Sequence, residues 1–193
     1  KTNCRNFRRR ASPPTRSAGF SRTYANPSYP RILIEMITIT DAALDQASIV
    51  HRIMLDAFEE YRGVLEPPSG AHIETVEDVI NEMQHGGAVI AWLDDEAIGS
   101  GRWRIEPEGY LYIGRVSVLP AFRGRGAARA MLEHMEQIAR QRGITRLRLV
   151  VRMLLPQNIE MYRKQGYEIA EIIKHPRGNT EVVYMEKQIN LTP

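Results

Sequence analysis

The sequence has little of what disulfide-bonded, metal-binding or membrane-spanning proteins need. Its single cysteine, Cys4, excludes a disulfide within the chain and leaves no thiolate cluster for a metal. No apolar run approaches the roughly 18 residues that a membrane-spanning helix requires. We therefore expect a soluble protein of a reducing compartment, the cytoplasm, with no membrane partner and no bound metal.

Acidic residues are absent from the first 31 positions, which carry eight basic ones: Lys1, Arg5, Arg8, Arg9, Arg10, Arg16, Arg22 and Arg31. The remaining 18 basic and 23 acidic residues give residues 32–193 a formal charge of −5. The net charge of +3 is therefore a property of the N-terminal segment alone. An argument for nucleic-acid binding from the overall charge fails, and we expect no nucleic-acid partner.

Residues 1–31 show neither helical nor strand periodicity and are rich in Arg, Ser, Pro and Asn, so we interpret them as a disordered basic extension. Three meanings compete: an organelle transit peptide, a basic arm that contacts phosphates, and an extension translated from upstream of the true start. Met36, at the opening of the first predicted strand, favours the third meaning.

From residue 32 onward, the apolar spacing alternates between the periods of strands and helices. Strands are predicted over residues 32–39, 88–93, 97–105, 111–118, 147–151, 167–173 and 182–187. Four helices are predicted: one capped by Asp41 and ending near Glu60, one from Thr75 to about His85, one over residues 128–139 that Gly143 ends, and one over residues 158–164. The order β-α-α-β-β-β-α-β-α-β-β predicts a single domain of the α/β (α+β) class.

The most informative segment leads from a strand end through a glycine-rich loop into a helix, and it reads Val116-Ser117-Val118-Leu119-Pro120-Ala121-Phe122-Arg123-Gly124-Arg125-Gly126-Ala127-Ala128. Glycines let the backbone approach a ligand closely, and the first amides of a helix have no partner within it. Arg123, Arg125 and Arg129 add positive charge. Together these features predict a cradle for a diphosphate.

Other kinds of loop fit this segment less well. A dinucleotide-binding fingerprint needs a small residue where Arg129 stands, and a P-loop needs a Gly-Lys-Ser/Thr run that is absent. The remaining alternative is a structural turn whose arginines are merely solvated.

A second informative block follows at residues 155–168 and reads Leu-Pro-Gln-Asn-Ile-Glu-Met-Tyr-Arg-Lys-Gln-Gly-Tyr-Glu. Together with the Arg-Gly-Arg-Gly-Ala-Ala loop, it resembles the GNAT superfamily of N-acetyltransferases. The loop matches the family pattern of Arg or Gln, two residues, Gly, one residue, and Gly or Ala. The later block matches the family segment N…xxYxKxGF, with Tyr167 where Phe is commoner. The resemblance covers residues 32 to about 189, so we expect residues 32–193 to form an N-acetyltransferase domain.

This resemblance implies a mixed, mostly antiparallel sheet with helices on both faces. It also implies direct transfer of an acetyl group from acetyl-CoA, the co-substrate, to an amine of a small molecule or peptide in a ternary complex. By the same resemblance, the diphosphate of the coenzyme would bind the loop amides, the pantetheine arm would bind the preceding strand and Asn158, and Tyr162 would protonate the departing thiolate. The implied cofactor-binding residues are Val116, Ser117, Val118, Arg123, Gly124, Arg125, Gly126, Ala127, Ala128 and Asn158.

The chemistry of the reaction supports the role implied for Tyr162. When an amine attacks a thioester, nitrogen must lose a proton and sulfur must gain one. A phenol with a pKa of about 10 suits proton donation to a thiolate. Asn158 and Tyr162 are four residues apart and so share one helical face. The alternatives are that Tyr162 only anchors a short helix and that Asn158 only caps it.

The general base is harder to predict, because the strand predicted over residues 111–118 contains no carboxylate. Candidates elsewhere are Glu59, Glu60, Glu66, Glu106 and Glu108, although each is more simply a solvated surface group. The acidic residues within 58–70 also suggest a cationic acceptor. A non-catalytic acyl-CoA sensor is the alternative function, and the resemblance to the family implies a homodimer paired through the edge of the final hairpin.

Overall fold

A seven-stranded sheet organises the structure, a computed structural model that describes residues 36–191. Its strands are β1 (Ile37–Asp41), β2 (Gly86–Leu93), β3 (Glu96–Ile105), β4 (Tyr110–Val118), β5 (Arg146–Arg152), β6 (Glu168–Lys174) and β7 (Glu181–Gln188). They lie in the order β1-β2-β3-β4-β5-β7-β6, and every neighbouring pair is antiparallel except β4 and β5. The predicted mixed, mostly antiparallel sheet is confirmed. The predicted extension, residues 1–31, lies outside the described residues.

Four α-helices connect these strands in the predicted order: α1 (Ala47–Phe58), α2 (Val76–His85), α3 (Ala127–Gln141) and α4 (Pro156–Lys164). Alternate side chains of β2 pack against different helices, so helices cover both faces of the sheet. Val89 and Ala91 belong to the apolar cluster that includes α3, whereas Ala88 and Ile90 belong to a second cluster with α1 and α2. Successive side chains of a strand point to opposite faces, so one strand contributes to two cores.

The start of the first helix differs from the prediction. Asp41 is the last residue of β1, where it pairs with Val89, and its carboxylate lies 2.9 Å from His134 Nε2. Helical structure begins with a short 3₁₀ turn at Leu44, and α1 itself starts at Ala47. The predicted cap was wrong because pairing with β2 keeps Asp41 in extended backbone, three residues before the turn begins.

The second helix begins where the sequence predicts. Thr75 Oγ1 accepts a hydrogen bond from the Asp78 amide at 3.2 Å, and the Asp78 carboxylate accepts one from the Thr75 amide at 2.8 Å. This reciprocal pair satisfies amides that a helix start leaves unbonded. Among residues 36–191 there is no helix with the length and apolar character needed to cross a bilayer.

Candidate active site

The two parallel strands at the centre of the sheet separate part-way along their length. β4 pairs with β5 from Tyr110 opposite Arg146 to Ile113 opposite Leu149, and the pairing ends there. Beyond Ile113, β4 remains paired with β3 alone, through an irregularity opposite Ser100–Arg102. The side of β4 that faced β5 therefore has no strand partner from residue 114 onward.

A cavity of about 820 Å³ occupies the resulting gap. Ten of the eleven site residues predicted from the sequence line it: Val116, Ser117, Val118, Arg123, Gly124, Gly126, Ala127, Ala128, Asn158 and Tyr162. The exception is Arg125, whose guanidinium group lies over the Phe122 ring, 5.5 Å from the ring centroid. Because these residues come from β4, the following loop, α3 and α4, the fold brings together groups that are far apart in sequence.

The glycine-rich loop and the first residues of α3 line this cavity. Gly124 and Gly126 have φ angles of +78° and +90°, a region that costs other residues about 1–2 kcal/mol. Gly126 occupies the cap position of α3 and offers no side chain to its first turn. Among the described residues, none accepts a hydrogen bond from the amides of Gly124, Gly126, Ala127 or Ala128. The start of α3 can therefore bind an anion.

Two polar side chains of this region have other contacts. The Arg123 guanidinium binds Glu60 at 2.7 Å and the carbonyls of Ala57 and Val118 at 3.2 Å each, so it ties the loop to the end of α1. Ser117 is buried, and its hydroxyl donates to the Arg115 carbonyl at 2.9 Å. Both side chains are therefore engaged by groups of the protein itself.

On α4, the spacing of Asn158 and Tyr162 places both in the cavity wall. Asn158 is the third residue of α4 rather than its cap, because the helix starts at Pro156, so that alternative was wrong. Its amide Nδ2 lies 3.5 Å from the Tyr61 hydroxyl. The Tyr162 ring packs edge-on against Tyr167, with centroids 5.9 Å apart.

The Tyr162 hydroxyl is neutral at physiological pH. Burial raises the pKa of this phenol well above its usual range, and the nearby Tyr112 and Tyr61 raise it further. The group therefore holds its proton until a stronger base appears beside it.

A buried ion-pair network supports the irregular part of β4, and sequence analysis missed it. Glu74 accepts hydrogen bonds from Arg102 at 2.5 Å and from Arg115 Nε at 2.8 Å, and Arg102 also lies 3.0 Å from Glu82. Arg102 is only 3% exposed. Arg115 has a φ of +52°, so Glu74 holds a residue in strained backbone. The sequence signal was an arginine after Gly114 in a strand that has no other charged residue.

The five carboxylates considered as general bases are poorly suited to that role. Only Glu60 of the five lines the cavity. Its hydrogen bond with Arg123 lowers its pKa, and a bond with Arg62 lowers the pKa of Glu59. Glu106 binds Arg104 at 2.8 Å. Within residues 36–191, no three His, Cys, Asp or Glu side chains are grouped so as to hold a metal ion.

Comparison with known proteins decides the family. A sequence model described as "Acetyltransferase (GNAT) family" matches residues 49–167, more than half of the chain. The chain belongs to the GNAT acetyltransferase family. It is therefore an acetyl-CoA-dependent N-acetyltransferase, which confirms the enzyme class that the two sequence blocks predict.

The individual proteins that resemble this chain share little sequence identity with it. The chain is 27% identical to an IAA acetyltransferase of Azospirillum brasilense over 132 residues, 68% of this chain and 84% of the relative. The PaiA N-acetyltransferase of Thermoplasma acidophilum, solved with coenzyme A, superposes with a TM-score of 0.65 at 19% identity, over 79% of this chain and 99% of that one. A GNAT family acetyltransferase of Elizabethkingia anophelis, solved with acetyl-CoA, gives a TM-score of 0.61 at 17% identity, over 79% and 98%. The solved structures support the fold.

The buried network makes a prediction about stability. Glu74→Gln leaves Arg102 buried without its closest carboxylate, so we expect a loss of about 3 kcal/mol in the free energy of unfolding at pH 7, measured with urea. The matched control is Glu82→Gln. Because the Glu82 side chain is 47% exposed, its loss should cost less than about 1 kcal/mol.

The stability that Glu74 contributes should decrease as the pH falls into the acid range. Burial alone would raise the pKa of Glu74, but Arg115 and Arg102 outweigh it and hold the pKa below its usual 4.5. The stabilisation of the fold by ionised Glu74 is therefore complete above pH 4.5. It is lost as the pH falls through the lowered pKa of Glu74 in the folded protein. The difference between the wild type and Glu74→Gln should narrow in acid. A constant difference from neutral to acid pH would contradict the assignment.

Proposed function

We propose that the chain transfers the acetyl group of acetyl-CoA to a primary amine of a small molecule or peptide by direct attack in a ternary complex. In this reaction, the carbon–nitrogen bond forms and the carbon–sulfur bond breaks. One proton leaves nitrogen and one is delivered to sulfur. The single observation that carries the proposal is the gap between β4 and β5 next to the unbonded amides of the α3 start.

The loop and the strand edge fit the two parts of the coenzyme. The amides of Gly124, Gly126, Ala127 and Ala128 suit the diphosphate, which is favoured at a helix start by both hydrogen bonding and the helix dipole. The unpaired side of β4 over residues 116–118 suits the amide groups of the pantetheine arm, much as another strand would pair there. When bound, acetyl-CoA supplies the activated acetyl thioester.

Two loop arginines contribute differently. The Arg123 side chain binds Glu60, so it positions the loop more than it binds an anion. Arg125 contributes through its place in the loop backbone, since its guanidinium group lies over Phe122. Their sequence positions match the family pattern, but their side chains are not the main anion-binding groups in this proposal.

Tyr162 is proposed as the proton donor to sulfur. Burial keeps the phenol protonated. The same environment disfavours a thiolate anion, because desolvation penalises the charged form of each group. The proton therefore moves to sulfur as the carbon–sulfur bond breaks. Asn158 is proposed to hold this end of the site through its contact with Tyr61.

No carboxylate is proposed as the base. Glu60 reaches the cavity, but its ion pair with Arg123 makes it a weak proton acceptor. We propose instead that the amine enters in its neutral form. After it attacks the thioester, its nitrogen loses one proton to solvent.

Two further expectations stay predictions. A homodimer would use β6, the outer strand at its edge of the sheet, where Ile169 and Ile172 are each 47% exposed. A cytoplasmic location rests on composition alone. Membership of the enzyme family favours turnover over the alternative of a non-catalytic sensor.

A glycine replacement tests where the coenzyme binds. Gly126→Leu should weaken binding of coenzyme A at least about ten-fold by calorimetry, because the side chain enters the cavity beside the proposed diphosphate site. The matched control is Gly143→Leu at the far end of α3. Gly143 also has a positive φ, +70°, and the space that a Cβ would occupy there is open. The two variants share the backbone strain, so equal losses of affinity would contradict the site.

A tyrosine replacement tests the proton donor. Tyr162→Phe should lower kcat about 10²–10⁴-fold in a thiol-release assay with the best amine of a broad panel, while coenzyme A affinity stays the same. Tyr167→Phe is the matched control, since the Tyr167 hydroxyl is buried and has no hydrogen-bond partner among the described residues. A Tyr162→Phe enzyme with the turnover of the control would remove this role from Tyr162.

A further inference from the structure

One part of the cavity wall is strongly basic. It is formed by residues 69–70, by Arg115 on β4, by Arg152 at the end of β5 and by the β6–β7 connection with His175 and Arg177. A Cβ built on Gly70 would lie 2.9 Å from Arg115 Nη2 and 3.7 Å from Arg177 Nη2. Both guanidinium groups therefore face the same small space beside the Gly70 backbone.

Most acidic residues near this space are engaged by arginines, and the exception is Glu66, whose charge acts on Arg152 without an ion pair. Glu74 lies between Arg115 and Arg102, Glu82 binds Arg102, and Glu60 binds Arg123. Within the part of the chain that the structure describes, Arg152 and Arg177 have no ion pair at all. The wall therefore carries positive charge that the nearby carboxylates only partly offset.

Arg152 shows this imbalance most clearly. Its Nη2 donates to the Pro67 carbonyl, whereas its Nε is buried without a hydrogen-bond partner among the described residues. Burial lowers the pKa of this guanidinium, the Arg177 charge lowers it further, and Glu66 only partly offsets them. The same two arginines, together with burial, lower the pKa of His175. An unpaired buried donor next to a second cation is costly unless an anion completes it.

The basic wall is also held in place. Thr180 Oγ1 donates to the Glu66 carbonyl at 2.7 Å, and Gly178 packs so closely on Pro67 that a Cβ there would lie 2.6 Å from the ring. The β6–β7 connection is thereby fixed against the loop before residue 70. Arg152 and Arg177 are presented by two elements in contact and not by a free loop.

We propose that the acceptor amine carries an anionic group, a carboxylate or a phosphate, that binds Arg152 and Arg177 in this wall. The inference rests on the proposed function and names the chemical class of its acceptor. It also replaces the cationic acceptor suggested by the acidic residues within 58–70, because Glu59 and Glu60 are paired with Arg62 and Arg123.

The same arginines favour the reactive form of the amine. A positive charge near an ammonium group disfavours the charged form and lowers its pKa. When the anionic group of the acceptor binds Arg152 and Arg177, its ammonium group lies near their positive charges. These charges promote loss of the proton that converts the ammonium group to the neutral amine. This fits a site in which none of the five carboxylates considered above is poised as a base.

Matched amine pairs test the inference on the full chain. Thiol release from acetyl-CoA is measured with β-alanine against β-alaninamide, γ-aminobutyrate against its amide, and O-phosphoethanolamine against ethanolamine. We expect the anionic member of at least one pair to have the higher kcat/KM, and the carboxylate and phosphate arms distinguish the two anions. Arg177→Gln should lower that preference about ten- to hundred-fold, the effect of losing one hydrogen bond to a charged group.

The controls separate this inference from the proposed function. Arg177→Lys should retain part of the preference, and Arg52→Gln, an exposed position on α1, should retain all of it. For each pair, the ratio of kcat/KM for the anionic amine to kcat/KM for the uncharged amine is compared between variants. The two amines also differ in pKa, but that difference is the same for every variant and cancels. Equal use of charged and uncharged members, or a ratio unchanged by Arg177→Gln, would overturn this inference alone. No acetylation of any amine by a chain that binds acetyl-CoA would contradict the proposed function, and this inference with it.

Discussion

The separation of β4 from β5 is the constraint on which the site depends. Four residue pairs hold the two parallel strands together, and the fifth is missing because β4 turns away at Arg115, whose φ is +52°. A non-glycine residue in that region costs of the order of 1–3 kcal/mol and persists only where its surroundings hold it. The turn at Arg115 thus lies where β4 leaves β5 and the cavity between them begins.

Ion pairs and hydrogen bonds hold β4 in its turn at Arg115. Glu74 binds the side chain of Arg115, and the Ser117 hydroxyl binds its carbonyl. Glu74 also neutralises Arg102, which lies on β3 opposite the irregularity. Burying these charges gains little net stability over an apolar core, since desolvation offsets most of the attraction. We infer that the network serves to specify one backbone path for β4.

The sequence predicts the fold and most of the candidate site for a physical reason. Apolar periodicity, glycines and helix starts are local features, so the order of strands and helices along the chain, the loop over residues 123–128 and the α4 block are visible in short windows, whereas the type of sheet was implied by the family resemblance. The basic wall is not visible in this way. Arg152 and Arg177 approach each other only because β5, β7 and their connections fold together, and Glu74 reaches Arg115 across 41 positions. The error at Asp41 has the same origin, since pairing with β2 overrides a local capping preference.

A crystal structure of the full chain with coenzyme A would test the central claim most directly. The account predicts that the diphosphate accepts hydrogen bonds from the amides of residues 124–128 and that the pantetheine arm lies against β4 beyond Ile113, where β5 has separated. Coenzyme A bound elsewhere, or β4 and β5 paired continuously from Tyr110 to Val116, would contradict it.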